Sequence, residues 1–153
     1  MIASLRGRLQ LVSGKTVVVD VHGVGYELTV SAGTLAHLPA EGEEVSLVVL
    51  TLVREDAITL YGFHTTEDRD LFLALTGVSQ IGPKMAIGIL GAATAQELYD
   101  AIALGDTKRL AMLPGVGKKT AARMALELKD KLPTVMDRPA GGDRSRPAVS
   151  TSA

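Results

Sequence analysis

One short stretch occurs twice in this chain, and the repeat governs what the second half can fold into. Leu113-Pro114-Gly115-Val116-Gly117-Lys118-Lys119-Thr120-Ala121 aligns with Val78-Ser79-Gln80-Ile81-Gly82-Pro83-Lys84-Met85-Ala86 at a constant offset of 35 positions. An internal repeat states architecture before any finer reading does. The second copy reads as a helix end, a tight turn and a new helix. Pro114 stops the preceding helix, and Gly115 and Gly117 let the backbone turn with no side chain in a ligand's way. Val116 is apolar and points inward as an anchor. The helix that opens at Gly117 or Lys118 offers unpaired N–H groups at its positive end, with two lysines beside them. Such an arrangement is a site for a phosphate.

In the first copy Ile81 falls on Val116, Gly82 on Gly117, Lys84 on Lys119 and Ala86 on Ala121. The pattern resembles the helix-hairpin-helix motif. Two such hairpins would grip neighbouring phosphates of a nucleic-acid backbone without reading bases. The candidate DNA-binding residues are therefore Gly82, Lys84, Gly115, Gly117, Lys118, Lys119 and Arg123, with Lys118 and Arg123 in second rank. The plainer reading is a tight helix–helix turn whose lysines merely solvate the surface; two copies with a lysine at the same place weigh against it. Gln80 stands where the second copy has Gly115, and a non-glycine residue at positive φ costs about 1 kcal/mol. The first turn is accordingly expected to differ in shape or to grip less well.

The rest of the chain supplies an α+β frame. Residues 1–63 read as five short strands: Ile2 to Val12, Thr16 to Val21, Tyr26 to Val30, Val45 to Val53 and Ala57 to Phe63. Gly7 marks a bend or bulge, Gly23-Val24-Gly25 a further bend, and Ser31 to Leu38 a short helical turn. Five strands in this length predict a small OB-like β-barrel. After His64 the period changes. Thr65 caps a helix whose apolar face is Leu71, Phe72, Leu75 and Val78. Further helices follow from about Pro83 to Leu90, from the Thr94–Glu97 capping box to about Leu104, from Asp106 to Met112, and from Lys118 to Lys131 with Ala122, Met124, Ala125 and Leu128 apolar. Residues 64–133 thus read as an all-α tandem helix-hairpin-helix domain. Residues 134–153, rich in Pro, Gly, Ser, Asp and Arg, read as a disordered linker.

Composition narrows the function classes. There are no cysteines, which excludes disulfides and thiolate metal sites and suits the cytoplasm. No stretch approaches ~18 apolar residues, so no transmembrane helix is expected. Aromatics are scarce and tryptophan is absent, which argues against base-stacking platforms. The net charge of −1 argues against nucleic acid until position is considered. Residues 1–63 carry four basic and seven acidic side chains, whereas residues 64–132 carry nine basic and eight acidic. The basic residues gather at the hairpins, beside an acidic half that can repel backbone.

Catalytic motifs find no support. The Gly117-Lys118-Lys119-Thr120 run is not a P-loop, because Met112 stands where the earlier glycine belongs and Lys119 follows Lys118. No G-x-S-x-G, cysteine nucleophile or His-Glu metal motif is present, and no cofactor is called for. His22, His37 and His64 lack ligand spacing and read as structural or exposed. Glu55-Asp56 lies at the tip of a strand hairpin. It reads as a polar turn, as a negative pin held against DNA phosphates, or as a carboxylate pair for a metal, for which no third ligand is patterned.

Taken together, Val53-Arg54-Glu55-Asp56-Ala57, Leu60-Tyr61-Gly62-Phe63, the opening Met1-Ile2 with Leu5-Arg6-Gly7, Gly23-Val24-Gly25-Tyr26 and the tandem hairpins resemble the RuvA family over residues 1–132. These are bacterial Holliday-junction-binding subunits of the RuvAB branch-migration complex, acting in recombination, DNA repair and the SOS response. The resemblance implies a non-catalytic homotetramer, alone or as two face-to-face tetramers, that holds a four-way junction open and flat. It places the acidic pin on Glu55 and Asp56. It implies as partners junction DNA, the hexameric ATPase motor RuvB and RuvC. Family members continue past the linker into a third domain that docks RuvB, and residues 134–153 stop within that linker. The alternative is the DNA-binding module of a repair nuclease or ligase, since those enzymes use the same hairpins.

Overall fold

The computed structural model describes residues 1–131; the expected linker at 134–153 lies outside them. The first half closes into a barrel in the order β1-β2-β3-β5-β4, with β4 returning to β1. Its strands are β1 (Ser4–Ser13), β2 (Thr16–Val21), β3 (Val24–Val30), β4 (Glu44–Val53) and β5 (Ile58–Phe63), and α1 (Ala32–Leu35) joins β3 to β4. Neighbours pair antiparallel except β3 and β5, which run parallel where Thr29 meets Tyr61 and Val30 meets Gly62. That parallel seam closes the barrel and removes its free edges. Alternate residues point inward, so Leu9, Val17, Val19, Leu28 and Val30 fill the interior with essentially no exposure.

Two turn readings need correction. The register slip in β1 falls between Leu9 and Leu11, at Gln10, and not at Gly7. Gly7 pairs with Val45 in mid-strand, and a Cβ there would drive into the Asp20 carbonyl of β2. Glycine is needed for close approach, not for a bend. The second bend lies at His22-Gly23, both at positive φ, so Val24 and Gly25 already belong to β3.

Five helices follow: α2 (Thr66–Thr76), α3 (Pro83–Ala92), α4 (Ala95–Ala103), α5 (Thr107–Leu110) and α6 (Lys118–Leu128). The apolar face expected for α2 is buried at Leu71, Phe72, Leu75 and Val78. On α6 the buried stripe is Ala121, Met124 and Leu128, and Ala122, though apolar, is exposed. The spacing of three and four puts Ala121 and not Ala122 on that face. The helix ends at Leu128, three residues earlier than expected. No helix among the described residues is long and apolar enough to cross a membrane.

The barrel interior and the helices have separate cores, and the helical core reaches onto the last two strands. Phe63, at the end of β5, packs on Phe72 of α2 with ring centroids 5.3 Å apart, and Tyr61 meets the same ring at 5.0 Å. Val48 and Leu50 of β4 join this helical core. Only His64 and Thr65 separate the last strand from α2. Around them sits a polar cluster. His64 Nδ1 lies 3.2 Å from both Thr34 Oγ1 and Asp68 Oδ2, and its ring stacks on His37 with centroids 4.1 Å apart. The His37 Nδ1–H donates to the Gly33 carbonyl at 2.8 Å, which orients the stacked ring.

Burial holds the His64 imidazole below its usual range; Asp68 pulls it up and His37 pushes it further down. Burial likewise raises the Asp68 carboxyl, against the opposing effect of His64. A histidine whose pKa is lower in the folded chain takes up its proton more readily when unfolded. Its contribution to stability is therefore lost as pH falls below 6.5. The Asp68 shift works in the opposite direction, in a window that begins at 3.8. Melting temperature followed from about pH 7.5 to about pH 5.5, across the histidine range, should fall in the parent and fall less in His64→Gln. Equal slopes in the two proteins would count against this assignment.

Candidate nucleic-acid interface

Helix caps separate the two hairpins from the rest of the molecule. The helices α1, α2, α4 and α5 all begin with a side-chain cap: Ser31, Thr65, Thr94 and Asp106 each accept from a backbone N–H in the first turn. By contrast, α3 and α6 begin at Gly82 and Gly117, and neither has a side-chain cap bond. Among the described residues the N–H groups of Gly117, Lys118 and Lys119 have no acceptor within the chain, nor do those of Gly82 and Lys84. Backbone donors left in this state turn to solvent or to a ligand.

The two hairpins have one shape. Gly82 has φ −90 and ψ 176, and Gly117 has φ −90 and ψ −178. Two positions earlier, Gln80 has φ 77 and Gly115 has φ 75. The expectation that Gln80 would reshape the first turn is therefore overturned. The side chain accepts the left-handed conformation, at the cost that conformation carries for any residue with a Cβ. The turn bonds match as well: Ile81 N–H donates to Val78 O and Val116 N–H to Leu113 O, both at 3.1 Å. Ile81 and Val116 point into the core at 4% and 6% exposure, as anchors for the two corners.

Gly82, Lys84, Gly115, Gly117, Lys118, Lys119 and Arg123 are all exposed. A Cβ built on Gly82 or Gly117 would meet nothing within 4 Å, so both corners open to solvent. Among the described residues, Lys84, Lys118, Lys119 and Arg123 make no ion pair. The corners also lie together. Gly82, Lys84, Met85, Gly88, Pro114 and Gly115 line one shallow groove between them. The arrangement holds free amides at two helix N-termini, with lysines beside them, and so can donate to anionic oxygens of a single ligand chain.

The real asymmetry is elsewhere than Gln80. Pro83 occupies the first helical position of α3, where α6 has Lys118. Proline suits that position, but it removes both an amide donor and a cation from the first corner. Glu55 and Asp56 sit at the exposed tip of the β4–β5 hairpin, beyond the Val53–Ile58 pair, where the Arg54 N–H donates to the Ala57 carbonyl at 2.8 Å. Neither carboxylate is ion-paired among the described residues, and Val53 and Ile58 beneath them are 68% and 71% exposed. Among those residues no three His, Asp or Glu side chains converge as metal ligands. Sequence reasoning passed over Met85, whose place one turn into α3 is legible from the repeat, and the His37–His64 stack, which only the fold brings together.

Because Gln80 carries φ 77, Gln80→Gly should raise the unfolding free energy by about 0.5–1 kcal/mol in denaturant melts. A loss of stability would mean that the side chain makes a compensating contact.

Comparison with known proteins agrees with this geometry. Residues 1–62 match the RuvA N terminal domain, and residues 72–130 match the SAM-like Helix-hairpin-helix tandem. The chain is 46% identical over 149 residues to the Holliday junction branch migration complex subunit RuvA of a Geobacter species, covering 97% of this chain and 75% of that one. It is 52% identical over 132 residues to the subunit of the same name from Neisseria meningitidis serogroup C, covering 86% and 68%. Identity at this level over most of both chains, with a closed five-stranded barrel leading into paired hairpins, places the chain in the RuvA family.

Proposed function

We propose that this protein is a non-catalytic binder of four-way (Holliday) junction DNA, serving branch migration in recombination and repair. The observation that carries the reading is the pair of uncapped helix starts, alike in backbone conformation and open to solvent side by side. Amides around Gly82 and Gly117 would donate to phosphate oxygens, and Lys84 and Lys119 would add charge-assisted bonds. Lys118 and Arg123 extend the same basic surface. Contacts of this kind position a duplex arm and leave its sequence unread, which suits a protein that must hold a junction while its bases change.

The acidic hairpin gives the reading its preference for junctions. Carboxylates at Glu55 and Asp56, unpaired and at an exposed tip, repel phosphates that approach them. In a fourfold assembly the pins of all subunits would meet at the crossover, the one place where strands must part. The homotetramer, or two such tetramers on one junction, is part of this proposal. So are RuvC and a hexameric RuvB motor, which would supply the ATP hydrolysis that this chain does not. Residues 1–63 would then act as the pin-bearing domain, 64–133 as the DNA-gripping domain and 134–153 as the tether toward the motor.

Binding of the purified chain to a four-way junction and to a linear duplex of equal length tests the proposal. The junction should be preferred, and affinity should fall steeply with salt, by roughly 0.9 log units per log unit of salt for each phosphate neutralised. Lys84→Glu with Lys119→Glu should lower junction affinity on the order of 100-fold. Equal affinity for both DNAs, or indifference to the two charge reversals, would reject the reading. Metal-dependent cleavage or nick sealing would instead identify a nuclease or ligase module. For the pin, Glu55→Gln with Asp56→Asn should tighten binding to duplex and narrow the junction-to-duplex ratio; an unchanged ratio would remove the pin.

A further inference from the structure

The two corners sit on different helices, and nothing in their own sequences sets the distance between them. One side chain bridges the gap. Met85, in the first turn of α3, lays its thioether over the second corner: a Cβ on Gly115 would lie 3.3 Å from Met85 Cε, 3.6 Å from Cγ and 3.8 Å from Sδ. One turn on, Gly88 approaches Pro114, whose Cβ would lie 4.0 Å from a Cβ at position 88. The first copy of the repeat thus packs its helix against the turn of the second. Met85 also rests on the helical core, so the contact has a fixed base.

This contact explains why the two turns differ in composition. Both need a left-handed residue, and Gln80 meets that need with a side chain. Position 115 has a neighbour as well, since a Cβ there would come within 3.3 Å of the Met85 terminal methyl and ask it to yield slightly. Glycine at 115 answers both, whereas at 80 only the backbone demand applies. Methionine suits the gap, since an unbranched thioether fills irregular space without a polar atom to satisfy.

We propose that Met85 is a positioning residue: its side chain is the spacer that fixes the separation of the two amide-bearing corners, so that they meet a DNA backbone as one preset pair. The proposal rests on the hairpin reading above and specifies what makes two weak phosphate sites act together. Two sites held at the right spacing avoid the ordering cost that two loosely related sites incur on binding. Met85 is uncharged and displaces no counterion. Its loss should therefore weaken binding without altering how binding depends on salt.

The test uses the full chain and a labelled four-way junction. Met85→Ala should lower affinity about 5- to 20-fold with an unchanged slope of log affinity against log salt. Met85→Leu, of similar volume, should restore affinity to within about twofold of the parent. Parent-like binding by Met85→Ala, an altered salt slope, or equal losses in the Ala and Leu variants would each overturn the spacer role. Lys84→Glu with Lys119→Glu, run alongside, tells the two failures apart: if it binds normally, the hairpin reading itself falls. Gly115→Ala keeps the proposal open to refutation should Met85→Ala fold poorly. Its loss of affinity should be smaller in a Met85→Ala background, where only backbone strain remains, and strict additivity would overturn the proposal.

Discussion

A helix that starts without a side-chain cap leaves backbone donors unanswered, and the logic of this protein follows from where it permits that. Four of its helices close their first turn with a serine, threonine or aspartate. The two that do not are the two that open at glycine hairpins. A polar side chain at Gly82 or Gly117 would satisfy a donor internally, and it would occupy the space now open over those donors. Glycine forgoes that bond at a cost of only about a few tenths of a kcal/mol for each cap, and leaves the donor open to solvent. The buried Ile81 and Val116 side chains anchor those two openings to the helical core.

Much of this was legible in the sequence because it is written in local chemistry. Thr65, Thr94 and Asp106 announce helix starts through their own side chains, and the structure shows each accepting the expected bond. Five short strands in about sixty residues suggest a small barrel, and Leu9, Val17, Val19 and Leu28 line its interior. The repeat itself gives the two corners. What the sequence obscured were features set by neighbours distant along the chain. Gly7 looks like a bulge until β2 is seen pressing its carbonyl against it, and Ala122 looks as apolar as Ala121 until the helix is placed. The His37–His64 stack joins residues from two separate connections, and no spacing rule links them.

The two corners also show that conformation and composition are separable. Gln80 and Gly115 share a backbone geometry to within the scatter of ordinary turns, although their chemistry differs. The difference in donor supply comes from Pro83, which the repeat pattern alone makes easy to overlook. Proline fixes the first turn of α3 and lowers the entropy of the unfolded chain at that point. The second corner is the richer in donors.

Phe63 belongs to the last strand and to the core beneath the helices, with two residues between the barrel and α2. The foot of the β4–β5 ribbon and α2, the helix that leads into the first hairpin, are therefore joined by packed aromatic rings and not by a tether.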